Sequence, residues 1–196
     1  MAGTLGILVR ELGLWASLKT IVSVISAQRR GEPFSELAPP DSQNEILSRK
    51  QIGPAILLYR AIREFLPDRA MHITEKVVTA DGVKFMKQSL GKLKLKELPH
   101  MPQQERQSYV SELGDRFFNA QIRWDHIGEE RVQFTVTHCR FPGLCRETGV
   151  PELAILFCKV DEAYFGHVEE QLKLTRPHSI ASGAAECPFT LTRQDS

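Results

Sequence analysis

Four cysteines, Cys139, Cys145, Cys158 and Cys187, all fall within the last 60 residues of this 196-residue chain. A reduced thiol can act as a nucleophile or bind a metal ion, whereas a disulfide can do neither. Four cysteines in a chain of this length do not indicate a small secreted disulfide scaffold, and the N-terminus lacks the features of a secretory signal. We therefore expect a cytoplasmic protein whose thiols stay reduced.

Carboxylate and guanidinium groups accompany these cysteines at spacings that predict shared sites. Residues three apart share one face of a helix, so Asp161 is expected beside Cys158. Glu152 opens the same predicted helix, and Arg140 directly follows Cys139. Two chemistries suit this set, namely attack by a thiol with a carboxylate as acid and base, and metal binding by the thiols. Because no C-x-x-C or H-x-x-x-H pair occurs, spacing alone does not establish zinc.

Each candidate also has an explanation that needs no chemistry. Cysteine is among the most commonly buried residues, so each thiol is compatible with simple core packing. Glu152 stands at a helix N-terminus, where the helix dipole favours an acid. Asp161 has Lys159 and Arg140 as candidate ion-pair partners.

Hydrophobic periodicity predicts helices in the first part of the chain and strands mainly in the last part. We expect helices over 12–27, 45–66, 68–90, 102–119, 141–148 and 151–165, and strands over 120–125, 131–138, 171–176 and 186–192. This order predicts an α+β fold with N-terminal helices packed on an antiparallel sheet. Proline and glycine near residues 29–43 predict a linker. The predicted domains are a helical appendage (1–30), this linker (31–44) and one α+β domain (45–196).

The segment from Leu12 to Ala27 is the most apolar of the chain, yet it is too short and too polar at its ends to cross a membrane. Large apolar residues recur there at helical spacing, namely Leu14, Leu18, Ile21 and Ile25, with Trp15 and Val22 beside them. We therefore expect a helix that packs on its own domain or on a second copy in a homodimer. Contact with a membrane surface is the weaker alternative, because lysine and arginine are few. The net charge of +1 argues against a nucleic-acid partner.

Three blocks in the C-terminal third occur in an order that is more specific than any one block. They read FTVTHCRF from Phe134, GVPELAILFCKVDEAYF from Gly149 and RPHSIASGAAECPFTL from Arg176. In this ordered set the chain resembles the L-2-amino-thiazoline-4-carboxylic acid hydrolase family. The glycine turn followed by Cys-x-Phe is also similar to the 4-vinyl reductase domain, a small α+β ligand-binding module, so the resemblance implies a 4-vinyl-reductase-like fold.

The family resemblance implies which positions form the site. The shared positions are Cys139, Arg140, Glu152, Cys158, Asp161, Gly183, Cys187 and Phe189. Ser182 stands where family members commonly carry glutamate, and Cys145 is an additional cysteine. The lost carboxylate bears on which substrate the site accepts.

The activity that the resemblance implies is hydrolysis of a cyclic C=N–S carbon in a small heterocyclic amino acid, which opens the ring to a carbamoyl-cysteine. Cys158 or Cys139 is the expected nucleophile. Alternatively Cys139, Cys158 and Cys187 hold a metal ion that activates water. The competing class is a non-catalytic α+β domain of the 4-vinyl reductase type that binds a small molecule or a metal.

Other residues have expected roles in proton transfer and substrate binding. Asp161 or Glu152 is the expected general acid and base. Arg140 is the expected clamp for the substrate carboxylate, because its planar guanidinium suits bidentate binding. Ser179 and Gly183 are expected to bind substrate.

Overall fold

The computed structural model describes residues 3–94, 97–169 and 171–194. These residues form an α+β fold, as predicted. The helices are α1 (Thr4–Leu12), α2 (Leu14–Arg29), α3 (Gln43–Arg63), α4 (Pro67–Leu90), α5 (Gln103–Gly114), α6 (Arg140–Glu147) and α7 (Ala154–His167). The strands are β1 (Ala120–Ile127), β2 (Arg131–Cys139), β3 (Leu172–Thr175) and β4 (Cys187–Arg193). Short 3₁₀ turns lie at Leu98–His100, Pro151–Leu153 and Ile180–Ser182.

The chain divides into two compact units. Unit 1 comprises Met1–Gly82 and Phe141–Phe157, and unit 2 comprises Val83–Arg140 and Cys158–Ser196. Unit 1 includes the predicted appendage and linker, whereas unit 2 contains all four strands. The predicted domain boundaries near residues 30 and 44 stay predictions.

Unit 1 begins with two helices separated by a single glycine. Gly13 has φ of 78°, a positive value that glycine adopts without strain. This backbone conformation is not helical, so it ends α1 before α2 begins. The predicted helix over 12–27 is confirmed as α2, while α1 was not predicted. The side of α2 that is buried carries Ser17, Thr20 and Ala27 rather than its large apolar residues.

Helix α3 supplies much of the buried apolar surface of unit 1, including Ile52, Ile56 and Ile62. Ser42 caps its start by accepting a hydrogen bond from the Glu45 backbone N–H at 3.2 Å, and the helix continues through Pro54. The 141–157 segment also belongs to this unit.

Unit 2 contains a four-stranded sheet in the order β1-β2-β4-β3, and all neighbours are antiparallel. The predicted antiparallel sheet is confirmed. Phe134 in β2 lies opposite Trp124 in β1 and Phe189 in β4. The Phe134 ring stacks on Phe189 with centroids 4.8 Å apart and meets Trp124 at 5.4 Å. These cross-strand aromatic contacts help to fix the register of the three strands.

Helix α5 ends at Gly114, earlier than the predicted end at Asn119. A Cβ added at Gly114 would lie 2.5 Å from Cζ2 of Trp124. The glycine therefore lets the end of α5 approach β1 more closely than any side chain would permit.

Candidate functional site

A cavity of about 200 Å³ lies against one face of the unit 2 sheet. Alternate strand residues line it, because successive side chains of a strand point to opposite faces. The strand contributions include Ile122 and Trp124 from β1, Val132, Phe134 and Val136 from β2, and Cys187, Phe189 and Leu191 from β4. Leu90, Leu113 and Phe165, from α4, α5 and α7, are among the helical residues that complete the lining. The lining is largely apolar.

Polar groups line this cavity where α7 and the chain after β3 contribute to it. Cys158, Asp161 and Arg176 are all lining residues, and we call them the Arg176 cluster. The Arg176 side chain is only 5% exposed, and Nη1 donates to Asp161 Oδ2 at 3.0 Å. Nη2 donates to Glu162 Oε1 at 2.6 Å and to the Cys158 backbone oxygen at 3.1 Å. The guanidinium also lies 5.2 Å from the ring centroid of Phe189, so the buried cation is held on several sides.

Asp161 has an unusual protonation equilibrium. Burial raises the pKa of its carboxyl group from 3.8 to about 6, although the charge and hydrogen bond of Arg176 act in the opposite direction. A carboxyl group with this pKa is ionised at neutral pH and is more basic than an ordinary aspartate. The arrangement therefore suits Asp161 to accept or donate a proton near neutral pH.

Two thiols near Asp161, that of half-buried Cys158 and that of buried Cys187, are held mainly in the neutral form. Burial raises the pKa of Cys158, while the charge of Arg176 and a hydrogen bond with Ser179 act against that rise. Burial also raises the pKa of Cys187, whose sulfur accepts a hydrogen bond from the Ile180 backbone N–H at 3.0 Å. A nucleophilic role for either thiol therefore requires a base that removes its proton.

The three cysteines predicted for the site, Cys139, Cys158 and Cys187, all line this cavity. Asn119 Nδ2 lies 3.8 Å from the Cys139 sulfur. Cys145 is fully buried in unit 1, and all four cysteines are thiols rather than disulfides. Across residues 3–94, 97–169 and 171–194, no three His, Cys, Asp or Glu side chains form a group that could hold a metal ion.

Glu152, the other predicted acid, belongs to unit 1 and does not line the cavity. Tyr59 donates its hydroxyl hydrogen to Glu152 Oε1 at 2.8 Å, and Arg63 Nη1 lies 3.4 Å from the same oxygen. The backbone oxygen of Thr148, in the same segment, accepts a hydrogen bond from Arg60. These contacts join the 141–157 segment to α3 within unit 1.

The predicted substrate-binding residues, Arg140, Ser179 and Gly183, are also absent from the lining. Arg140 is the first residue of α6, and its backbone N–H donates to the Asn119 carbonyl at 2.8 Å. Ser179 and Ser182 form a reciprocal capping box around a 3₁₀ turn that ends at Gly183, which has φ of 96°. Ser182 therefore has a local structural role at the position where the sequence resemblance led us to expect glutamate.

Arg176 is the site residue that sequence reasoning did not identify. It opens the third quoted block and is the last residue of the predicted strand over 171–176, but its partners could not be read from the sequence. Asp161 was expected to pair with Lys159 or Arg140, whereas the ion pair in the structure is with Arg176.

An α+β fold with a concave apolar cavity and a few convergent ionisable groups is an arrangement typical of small-molecule binding sites. The family model of L-2-amino-thiazoline-4-carboxylic acid hydrolase matches residues 46–191. The chain belongs to this family, and the expectation from its sequence blocks is confirmed.

Comparison with curated proteins and with solved structures finds no match. The likeness to the 4-vinyl reductase domain therefore stays a prediction. Within the described parts of the chain, no helix is both long and apolar enough to cross a membrane.

Proposed function

We propose that the unit 2 cavity binds a small heterocyclic amino acid and catalyses hydrolysis at the ring carbon that is bonded to both nitrogen and sulfur (N=C–S), as the family name suggests. The observation that carries this proposal is the Arg176 cluster, in which a thiol and a carboxyl group with a pKa near 6 line the same cavity. Thiol and carboxyl are the two groups that nucleophilic hydrolysis requires.

In the proposed reaction Cys158 is the nucleophile and Asp161 is its base. Because burial raises the pKa of the thiol, its proton passes to Asp161 as the sulfur attacks the ring carbon. The π electrons of the C=N bond move to the ring nitrogen, which takes the proton from Asp161, and the ring carbon becomes tetrahedral. The exocyclic amino nitrogen then forms a C=N bond to this carbon as the ring C–S bond breaks, and a proton from that nitrogen passes to the ring sulfur, which leaves as a thiol. Water next attacks the same carbon and releases Cys158. Overall, water supplies the carbonyl oxygen of the carbamoyl product, and its two protons end on the ring nitrogen and the ring sulfur.

Arg176 acts in this scheme as a positioning residue. Asp161 and Glu162 already offset its charge, so it is poorly placed to attract a further carboxylate from the substrate. Its bond to Asp161 instead fixes the direction in which the carboxylate presents its oxygens. Arg140 does not line the cavity, so its role as the clamp for the substrate carboxylate stays a prediction from the family resemblance.

The activity test uses the purified chain and L-2-amino-thiazoline-4-carboxylic acid, with thiol release and the mass of the carbamoyl-cysteine product as readouts. We expect turnover that rises with pH through about 6 as Asp161 ionises. Cys158→Ala and Asp161→Asn should each lower kcat by about a hundredfold or more.

Glu162→Gln is the matched control for Asp161→Asn. Glu162 bonds the same arginine but does not line the cavity, so this variant should keep most of the activity. An inactive wild-type protein would contradict the hydrolase proposal. If Cys158→Ala kept full activity and Cys139→Ala lost it, the nucleophilic role would be assigned to Cys139 instead.

The apolar lining favours a second candidate, a non-catalytic site for an apolar small molecule. Trp124, Phe134 and Phe189 present aromatic surface to the cavity, far more than a small polar amino acid requires. Native mass spectrometry of the freshly purified chain tests this candidate. A bound apolar molecule, together with no turnover of the thiazoline, would favour binding over hydrolysis.

A further inference from the structure

Helix α2 reverses the usual arrangement of a helix on a protein surface. Five of its large apolar residues, Leu14, Trp15, Leu18, Val22 and Ile25, are exposed, with Trp15 at 83% and Val22 at 65%, whereas Ile21 and Val24 are half-buried. The five exposed residues fall within one side of the helix, and we call them the apolar stripe. The other exposed large apolar residues in the described chain, Leu5, Ile46 and Phe65, lie outside α2. A contiguous exposed apolar surface of this kind marks a site of interaction.

The buried side of α2 carries small hydroxyl residues. Ser17 Oγ donates to the Gly13 carbonyl at 2.6 Å, and Thr20 Oγ1 donates to the Ala16 carbonyl at 2.8 Å. Because each hydroxyl is satisfied within its own helix, this side can pack closely without further polar partners. Small residues on the protein side and large apolar residues on the outer side are the arrangement of helices that face lipid.

The charges of α2 indicate what covers the stripe. The helix contains Lys19 and Arg29 but no acidic residue. Lys19 follows Trp15 by four positions and Arg29 follows Ile25 by four, so both exposed cations border the stripe. An apolar side bordered only by cations is complementary to a bilayer with anionic headgroups.

A second copy of the chain fits these observations less well. A stable protein interface draws about 20–30 residues from each partner, and the stripe has five. A lipid surface requires no matching shape, and tryptophan is enriched where bilayers meet water. We propose that the apolar stripe docks the protein on an anionic lipid bilayer surface, with α2 lying in the interface. This goes beyond the proposed hydrolase activity and does not depend on it.

Vesicle flotation of the full chain tests the proposal, with phosphatidylcholine alone and with phosphatidylcholine containing phosphatidylglycerol. We expect binding to the anionic vesicles, and the paired change Leu18→Gln and Val22→Gln should weaken it by about tenfold or more. Lys19→Gln should weaken binding by about fivefold, and only on the anionic vesicles. Trp15 emission should shift to shorter wavelength on binding, and Trp15→Phe should remove that shift.

The matched control changes Ile46→Gln and Phe65→Gln together, because these residues are exposed to a similar degree but lie outside the stripe. This control should bind vesicles as the wild-type chain does. Absence of wild-type flotation, or equal loss in the control, would overturn the proposal. A dimer in sedimentation that the Leu18 and Val22 changes abolish, without vesicle binding, would overturn it in favour of a homodimer.

Discussion

Helices α2 and α7 both depart from the usual distribution of side chains, and they do so in opposite directions. Helix α7 turns ionisable groups away from bulk solvent, since the half-buried Cys158 and Asp161 line a cavity beside the buried Arg176. Helix α2 exposes Trp15 and Val22 and hydrogen-bonds its buried hydroxyls to its own backbone. Helix α7 therefore loses hydration of its ionisable groups, whereas α2 loses the burial of its apolar groups.

The two departures have different energetic consequences. Buried ionisable groups need partners, so α7 depends on Arg176 and should be sensitive to single changes there. Exposed apolar side chains contribute little to the stability of the fold, so variants of the apolar stripe should fold normally. They should differ from wild type only in binding to a lipid surface. The contrast therefore separates a site that is coupled to stability from one that is not.

Arg176→Met is expected to have the largest effect on stability. It leaves the carboxylates of Asp161 and Glu162 without their buried cation and removes the contact with Phe189. We expect the free energy of unfolding to fall by about 3 kcal/mol, measured by urea denaturation. Leu18→Gln should change it by less than about 0.5 kcal/mol. Equal losses in the two variants would remove the distinction between the helices.

The pH dependence of stability should differ between wild type and Asp161→Asn. The carboxyl pKa is about 6 in the folded protein, above its ordinary value of 3.8, so protonation favours the folded state. The contribution of Asp161 is fully present below pH 3.8 and is lost as pH rises through about 6. The Asp161 side chain keeps 27% exposure, so we expect less than the full effect of the pKa shift. The difference in unfolding free energy between wild type and Asp161→Asn should change by about 2 kcal/mol over this pH range.

Asp125 serves as a control, because its contribution to stability depends on pH in the opposite direction to that of Asp161. A hydrogen bond from Thr135, together with Arg123, holds the pKa of Asp125 below its usual value. Its contribution is therefore present at neutral pH and lost as pH falls through that lowered pKa. If the difference in unfolding free energy between wild type and Asp161→Asn did not change from pH 3.8 to 6, the raised pKa of Asp161 would be wrong.

The strands and α7 could be predicted from the sequence because their signals are local. Alternating apolar residues such as Val132, Phe134 and Val136 define β2, and three-residue spacing puts Cys158 and Asp161 on one face of α7. The cysteines of the cavity were selected differently, because each belongs to a block that resembles the L-2-amino-thiazoline-4-carboxylic acid hydrolase family.

Other features could not be predicted because they depend on tertiary contacts. Arg176 pairs with Asp161 only because the chain after β3 returns beside α7. Periodicity located Leu18 and Val22 on one side of α2, but spacing alone does not reveal whether that side faces the protein or its surroundings. The close approach of Gly114 to Trp124 is likewise a contact between elements that are separate in the sequence.

Gly114→Ala tests how tightly the cavity wall is packed. The added Cβ would lie 2.5 Å from Trp124 Cζ2, so the ring has to move although alanine favours the helix. We expect a net loss of about 1 kcal/mol in unfolding free energy, with altered Trp124 fluorescence. Gly166→Ala is the control, because nothing lies within 4 Å of the added Cβ and α7 should be slightly stabilised. Unchanged stability and emission in Gly114→Ala would mean that the wall is loose.

The smallest effect is expected on the buried side of α2. Ser17→Ala removes a hydrogen bond that the hydroxyl makes to its own helix at Gly13, so the loss in unfolding free energy should be about 0.5 kcal/mol or less. Ser17→Leu should cost more than about 1 kcal/mol, because close packing leaves no room for the larger side chain. Thermal and urea denaturation distinguish the two cases. If leucine at this position were as stable as serine, the buried side would not require small residues, and the resemblance of α2 to a lipid-facing helix would rest on its outer side alone.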